Sequence, residues 1–240
     1  MVSATDSHVL WALLRGQPRG RSHAERLQSF YAPQASRYDE FRECLLQGRR
    51  ELVADLAPSR GARVIELGAG TGRNLDFFGD RLATFAHVDL VDLCPALLAR
   101  ARTRTAAMDN VTVVEADVTD WRPDEPADVV YFSYALTMIP DWRGAIDNAI
   151  AMLRPSGRLG VVDFYVSEAA GGPGRVRHGV LTRVFWPRWF GHDGVKLDPA
   201  HLAYLIDRLP DHRLYEERAP VPYMAGLQVP HYRFVGTKAV

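Results

Sequence analysis

Cysteine is almost missing from this sequence: two residues, Cys44 and Cys94, in a chain of 240. They stand far apart and neither belongs to a pair with metal-ligand spacing. That removes a disulfide framework and makes a reducing cytoplasm the simplest home. An excess of one charge is missing too. Lysine plus arginine and aspartate plus glutamate each number 29, so nothing draws the molecule as a whole to nucleic acid or to an anionic surface. Long apolar runs are absent: the longest, VVYFSYALTMI (129–139), falls well short of the roughly 18 residues needed to cross a bilayer. The apolar HVLWALL (8–14) is short and follows Asp6 rather than a basic cluster, so no signal peptide is expected. His178, His192, His201 and His212 show no i, i+4 spacing, and no metal site is expected. What remains is 47% hydrophobic residues, enough for an ordinary globular core.

The order of the chain gives the class of fold. Residues 1–22 end in RGQPRGRS and read as a flexible connector. A helical cap follows over 23–61, with Tyr38, Phe41 and Leu45 and then Leu52, Val53 and Leu56 on an apolar stripe. PSRG (58–61) stops it. From residue 62 short apolar strands alternate with helices. RVIEL (63–67), ATFAHVDLVD (83–92), VTVVEAD (111–117), ADVVYFSY (127–134) and GRLGVVDFYV (157–166) are strands; 95–107 and 141–153 are helices, the second capped by Asp141. RPSG (154–157) reads as the turn into the fifth strand. Such alternation means an α/β domain with a parallel sheet covered on both faces. Segment 167–212 reads as a lid over a substrate and contains a helix at 199–209. LYEERAP and HYRFVGTK, within 213–240, read as two strands paired antiparallel at the sheet edge.

The chemistry is concentrated in IELGAGTGRN (65–74). A nucleoside triphosphate loop needs Gly-x-x-x-x-Gly-Lys-Ser/Thr, and no such lysine is present. A dinucleotide loop needs a third glycine at 73, where arginine stands. That argues against a nicotinamide-dependent oxidoreductase. Glu66 lies two places before Gly68. A carboxylate there repels a pyrophosphate and attracts a ligand carrying an ammonium and a sulfonium. S-adenosylmethionine carries both and has no phosphate. A ribose calls for an acid about 20 residues after the glycines, and Asp92 stands at that distance from Gly72. Asp117, at the end of the third strand, can accept the adenine amino group. These acids and Gly68, Gly70 and Gly72 form one pocket at the carboxyl edge of the sheet.

Over residues 60–166 the pattern resembles the class I S-adenosylmethionine-dependent methyltransferases. The resemblance implies a Rossmann-like, doubly wound, seven-stranded and mostly parallel sheet whose last strand runs antiparallel, with N-terminal helices and a lid insertion near the C-terminus. It also implies that Ala69, Asn74, Leu93, Val118 and Ser133 line the cofactor beside the residues above. Tyr31 and Tyr38, seven apart in a helical stretch, either form a lid over the cofactor or pack in the helical cap. More narrowly, FYAPQASRYDEFRECLLQGRREL (30–52), VDLCPAL (91–97), FSYALTMIPDW (132–142), DFYVS (163–167), VFWPRWF (184–190) and PVPYMAGLQVPHY (220–232) are similar to the methyltransferase portion of betaine lipid synthases. That implies N-methylation of an amino-acid-type amine on a lipid headgroup. The chain is too short to hold the part of those synthases that transfers the aminocarboxypropyl group, so a partner enzyme or a different acceptor is implied.

Methyl transfer is an in-line displacement that depends on positioning, with acceptor and methyl carbon about 3–3.5 Å apart. The amine must be neutral when it attacks. Tyr134, Asp163 and Tyr165 stand at the ends of the fourth and fifth strands, where an acceptor would sit, and are the candidate catalytic residues. Alternation gives one of Phe164 and Tyr165 to the core, and Asp163 has the plainer alternative of fixing a neighbouring loop. Segment 175–190 mixes Arg175, Arg177, Arg183 and Arg188 with Phe185, Trp186, Trp189 and Phe190. It suits peripheral contact with the inner face of a membrane; inward packing as a lid is the plainer reading. Two rival functions stand beside the lipid-headgroup amine: a small-molecule N- or O-methyltransferase of secondary metabolism, and a non-catalytic S-adenosylmethionine-binding partner protein.

Overall fold

The computed structural model describes Glu25, Gln28 and residues 45–191, 194–221, 224 and 226–240. Segment 1–22, most of the expected helical cap, Tyr31, Tyr38 and Cys44 lie outside the described residues. Helix α1 (Arg49–Leu56) buries the stripe Leu52, Val53 and Leu56 and ends ahead of Pro58, as a chain approaching proline tends to. Five strands follow: β1 (Arg63–Leu67), β2 (His87–Asp92), β3 (Val111–Glu115), β4 (Ala127–Ser133) and β5 (Leu153–Phe164). Helix α2 (Pro95–Thr105) lies between β2 and β3, and α3 (Trp142–Met152) between β4 and β5. Proline at the start of α2 has the φ that a first turn requires. Gln28 Oε1 accepts the adjacent Ala96 N–H at 3.1 Å. Asp141 caps α3, its Oδ1 accepting from Gly144 N at 3.0 Å. Helices α4 (Val180–Gly191) and α5 (Ala200–Arg208) precede the last strands, β6 (His212–Pro220) and β7 (Gln228–Thr237).

All seven strands form one sheet in the order β3-β2-β1-β4-β5-β7-β6. Neighbours from β3 to β5 pair in parallel, while β7 is antiparallel to both β5 and β6. β1 and β4 sit in the middle and are buried on both faces, which is why they read as mostly apolar runs. One face packs against α1, the turns after β1, and the inner side of α4, through residues such as Leu52, Phe78, Val88, Trp186 and Phe190. The other packs against α3 and α5, through Ile65, Val130, Ile146, Leu202 and Phe234. None of the helices among the described residues is long and apolar enough to cross a membrane.

The expected antiparallel pair lies at the sheet edge, with β7 between β5 and β6. One expectation needs correction. Residues RPSG are a bulge rather than a turn before the strand. Leu153 already pairs with Ala127, and the register then jumps to Val129↔Arg158. Ser156, at φ 62°, is tied by its N–H to Lys238 O at 3.1 Å. β1 and β2 are joined by two short 3-10 turns, Arg73–Phe77 and Gly79–Thr84.

Candidate active site

The loop after β1 is held to β2 by its own backbone. Gly68 N–H and Ala69 N–H both donate to Val91 O, at 2.8 and 3.1 Å. Gly68, Gly70 and Gly72 have φ of 74°, 56° and 69°, the left-handed region that side chains rarely adopt. A Cβ on Gly68 would stand 2.5 Å from the Ala135 methyl, and one on Gly72 2.9 Å from Leu90 Cδ1. The loop therefore tolerates no side chain at either position.

Asp92 completes this corner. Its Oδ2 accepts from Gly70 N at 2.8 Å and its Oδ1 from Cys94 N at 2.8 Å. Burial raises its pKa, and the backbone N–H groups of Cys94, Gly70 and Leu93 act against the rise. Each carboxylate oxygen keeps a lone pair for a ligand hydroxyl. Asp89, earlier on the strand, is engaged by His87 at 3.0 Å.

Glu66 is 1% exposed. Its Oε1 accepts from Asn74 Nδ2 at 2.6 Å and its Oε2 from the Tyr131 hydroxyl at 2.8 Å. Tyr131 is its direct neighbour across the β1–β4 pair. Burial pushes the carboxyl up to about 7; the bonds from Asn74 and Tyr131 and the nearby Arg49 guanidinium hold it back. Arg49 is itself buried. It donates to Leu46 O at 2.9 Å and to Asn74 Oδ1 at 3.4 Å. Arg49, Asn74, Glu66 and Tyr131 thus form one network along and beneath the floor of an open cleft.

The cleft brings together Glu66, Gly68, Ala69, Gly70, Asn74, Ser133 and Tyr134, with Leu46, Arg49, Thr71 and Arg73 also lining it. Ser133 Oγ is buried and has no hydrogen-bond partner among the described residues, which leaves a donor and an acceptor for a ligand. The cleft is not acid alone. Arg73 reaches out to Asp76 at 2.7 Å, but Arg49 lies inside, so the lining offers both signs of charge. Asp92, Gly72 and Leu93 belong to the loop and strand end beside the cleft. Asp117 is exposed and caps its own turn, Oδ1 accepting from Thr119 N at 2.9 Å and Thr119 Oγ1 at 2.7 Å. Val118 is buried in the opposite core; neither it nor Asp117 lines the cleft.

The structure does not bring the three candidate catalytic residues together. Tyr134 lines the cleft at φ 54°, its hydroxyl donating to Gln47 O at 2.6 Å and its ring 4.6 Å from Phe164. Phe164 in turn stacks on Phe190 of α4 at 4.7 Å. Burial raises the Tyr134 hydroxyl well above its ordinary pKa, so it is a hydrogen-bond donor and not a base. Asp163 is 0% exposed. It accepts from Thr137 Oγ1 at 2.9 Å, Thr137 N at 3.2 Å and Phe164 N at 2.8 Å. Its carboxyl, raised to about 7 by burial, fixes the turn after β4 and touches no open space. Tyr165 points to the opposite face from Phe164, as alternation requires. Its hydroxyl donates to Glu216 Oε1 at 2.7 Å, its ring packs on His178 and Tyr232, and it borders a separate small cavity. Among the described residues no group of three or more His, Cys, Asp or Glu is arranged to hold a metal.

A glycine loop, a carboxylate at the end of β2 and the order β3-β2-β1-β4-β5-β7-β6 define the class I methyltransferase fold. Residues 38–192 match the model of a methyltransferase domain family, and the chain belongs to that family. A demethylmenaquinone methyltransferase of Clavibacter sepedonicus is 32% identical over 136 residues, which cover 54% of each chain. The chain spans about half the length of the curated relatives it matches. Among solved structures, the N-methyltransferase NodS of Bradyrhizobium japonicum WM9, in complex with S-adenosyl-L-homocysteine, has a TM-score of 0.62 at 19% identity, covering 88% of this chain and 98% of that one. A Haemonchus contortus N-methyltransferase in complex with phosphomonomethylethanolamine and S-adenosylhomocysteine has a TM-score of 0.70 at 14% identity, covering 93% and 62%.

Proposed function

We propose that this chain is an S-adenosylmethionine-dependent methyltransferase that N-methylates an amino-acid-type amine, such as a betaine-lipid headgroup. The observation that carries the cofactor half is the cleft network, where Glu66 and Arg49 share Asn74. The amino-acid end of the donor is a zwitterion. The Glu66 carboxylate suits its ammonium and the Arg49 guanidinium its carboxylate. Asp92, held by Gly70 and Cys94 amides, suits the ribose hydroxyls. The close-turning glycines let the backbone approach the donor. Ser133 Oγ supplies a further polar contact.

When bound, the donor supplies a methyl group on a positively charged sulfur. The chain's part is to position the acceptor and keep its nitrogen neutral. The wall formed by Tyr134, Phe164 and Phe190 is apolar. Desolvation beside it lowers the pKa of an amine and favours the form with a free lone pair. Aromatic faces also favour the quaternary product, by about 0.5–2 kcal/mol per ring.

The test is incubation of the purified protein with labelled S-adenosylmethionine and, in parallel, a lipid extract and a panel of soluble amines and hydroxyl compounds. The label should move to an amine-bearing lipid. Transfer only to hydroxyl acceptors, or to none with donor binding intact by calorimetry, would overturn the acceptor or the enzymatic reading respectively.

A further inference from the structure

Helix α4 has two apolar sides. Trp186 and Phe190 are buried, at 3% and 6% exposure, and Phe190 reaches Phe164 behind the Tyr134 wall. The opposite side faces water and is also apolar. Leu181 is 85% exposed, Val184 44%, Phe185 39% and Trp189 46%. Positions 181, 184, 185 and 189 fall on one helical stripe, with Val180, 66% exposed, at its end. Phe185 and Trp189 stack on each other, ring centroids 5.8 Å apart. Isolated exposed apolar residues are ordinary, but a contiguous stripe of them marks an interaction surface.

Charge decides what covers it. From Ala169 to His192 the chain has no acidic residue, while Arg175, Arg177, Arg183 and Arg188 all lie there. Arg177 and Arg188 are exposed. The chain as a whole is neutral, so this is a local positive patch around an apolar stripe. A second copy docked stripe to stripe would set these arginines against their own kind. An anionic bilayer takes the apolar side chains into the headgroup boundary and meets the arginines with phosphates.

We propose that the outer stripe of α4 seats the protein on an anionic phospholipid surface. The further consequence, that a lipid-borne acceptor is brought to the Tyr134–Phe164–Phe190 wall through the same helix, rests on the methyl-transfer reading above. The seating does not.

The experiment is co-sedimentation of the full chain with vesicles of phosphatidylcholine alone and of phosphatidylcholine mixed with phosphatidylglycerol, at low and high salt. The protein should partition onto the mixed vesicles, less so at high salt. The double variant Leu181→Glu, Trp189→Glu should lose about tenfold or more of that partition, and Arg177→Glu, Arg188→Glu should lose the preference for the anionic vesicles. S-adenosylmethionine affinity, measured by calorimetry, should not change in either variant, since none of these side chains lines the cleft. No partition, or partition that the first variant leaves intact, overturns the proposal. So does self-association on size exclusion that the first variant abolishes while the parent ignores vesicles. Vesicle binding without methyl transfer would leave the seating and remove the proposed function; methyl transfer without vesicle binding would do the reverse.

Discussion

Beyond the ends of β1 and β2, the groups that shape the cleft are main-chain amides, carboxylates that those amides or polar side chains hold in place, and the Arg49 guanidinium. Beyond β4 and β5, the site is a stack of rings from three separate elements, backed by a carboxylate sealed in the core. The first half is built locally: Gly68 and Ala69 bond to Val91, and Gly70 bonds to Asp92. The second is assembled at long range, Tyr134 reaching Gln47 and Phe164 reaching Phe190. Glu66 and Asp163 state the contrast most directly. Both are pushed to about 7 by burial, but Glu66 lines the cleft while Asp163 is spent on the Thr137 turn. A charged ligand can therefore be met by the first half, and only an apolar or desolvated group by the second.

Gly68→Val attacks the first half hardest. Its Cβ would need to displace Ala135, 2.5 Å away, at a φ of 74°. Donor binding should vanish in calorimetry, with a marked loss of melting temperature; retained binding would mean that the loop can be rebuilt. Asp163→Ala attacks the second half. It strands the Thr137 N–H and hydroxyl and the Phe164 N–H in the core, at about 1–3 kcal/mol for each buried group left unpaired. Denaturant unfolding should register several kcal/mol, while the variant that still folds should bind the donor almost as the parent does. A donor affinity that falls in step with stability would erase the distinction between the halves. Asp92→Ala should weaken donor affinity about tenfold or more, through two lost hydroxyl acceptors.

The pH dependence separates the two carboxylates. Glu66 rises from an ordinary 4.5 to about 7, so the folded chain keeps a proton there that the unfolded chain has released. This contribution to stability is fully present below 4.5 and is lost as pH rises through about 7. Asp163, raised from 3.8 to about 7, acts in the same direction. Glu66→Gln should flatten the fall in melting temperature across that window without abolishing it, because Asp163 remains. If an ammonium rests on Glu66, donor binding near neutral pH should expel a proton from the parent and none from the variant. Calorimetry in buffers of different ionisation enthalpy reads this. Equal proton release from both proteins would move the ammonium elsewhere.

This division also accounts for what could be read from residues alone. The glycine spacing, Glu66 and Asp92 are local features, and backbone geometry ties them to neighbours a few residues away or one strand over. The buried parallel strands announced themselves as apolar runs, and Asp141 as a cap. Arg49 was legible but passed over: it stands three, four and seven places before Leu52, Val53 and Leu56, on the stripe that α1 buries, and only its charge made it look like Arg50 beside it. Tyr131 became legible only once β4 was known to lie next to β1. Alternation said that Phe164 and Tyr165 face opposite ways, but the choice of face depends on α4 and β7, distant in the chain. The insertion of β7 between β5 and β6 has the same origin, since an antiparallel hairpin carries no mark of which arm meets the sheet.

Tyr165→Phe is the mildest change and the sharpest check on that last point. The hydroxyl donates to Glu216 on the face away from the cleft, so its loss removes one partly buried hydrogen bond, about 0.5–1.5 kcal/mol. Melting temperature should drop by a few degrees at most, and kcat should stay within about twofold of the parent, because nothing that touches the donor or the aromatic wall has moved. Tyr134→Phe, one strand away, loses its bond to Gln47 O and frees the loop before α1 that carries Leu46 to the cleft, so its kcat should fall further than that of Tyr165→Phe. The reverse order would put the reacting amine on the Glu216 side of the sheet. The cavity bordered by Tyr165 would then be the acceptor site and the Phe164 stack a purely structural wall.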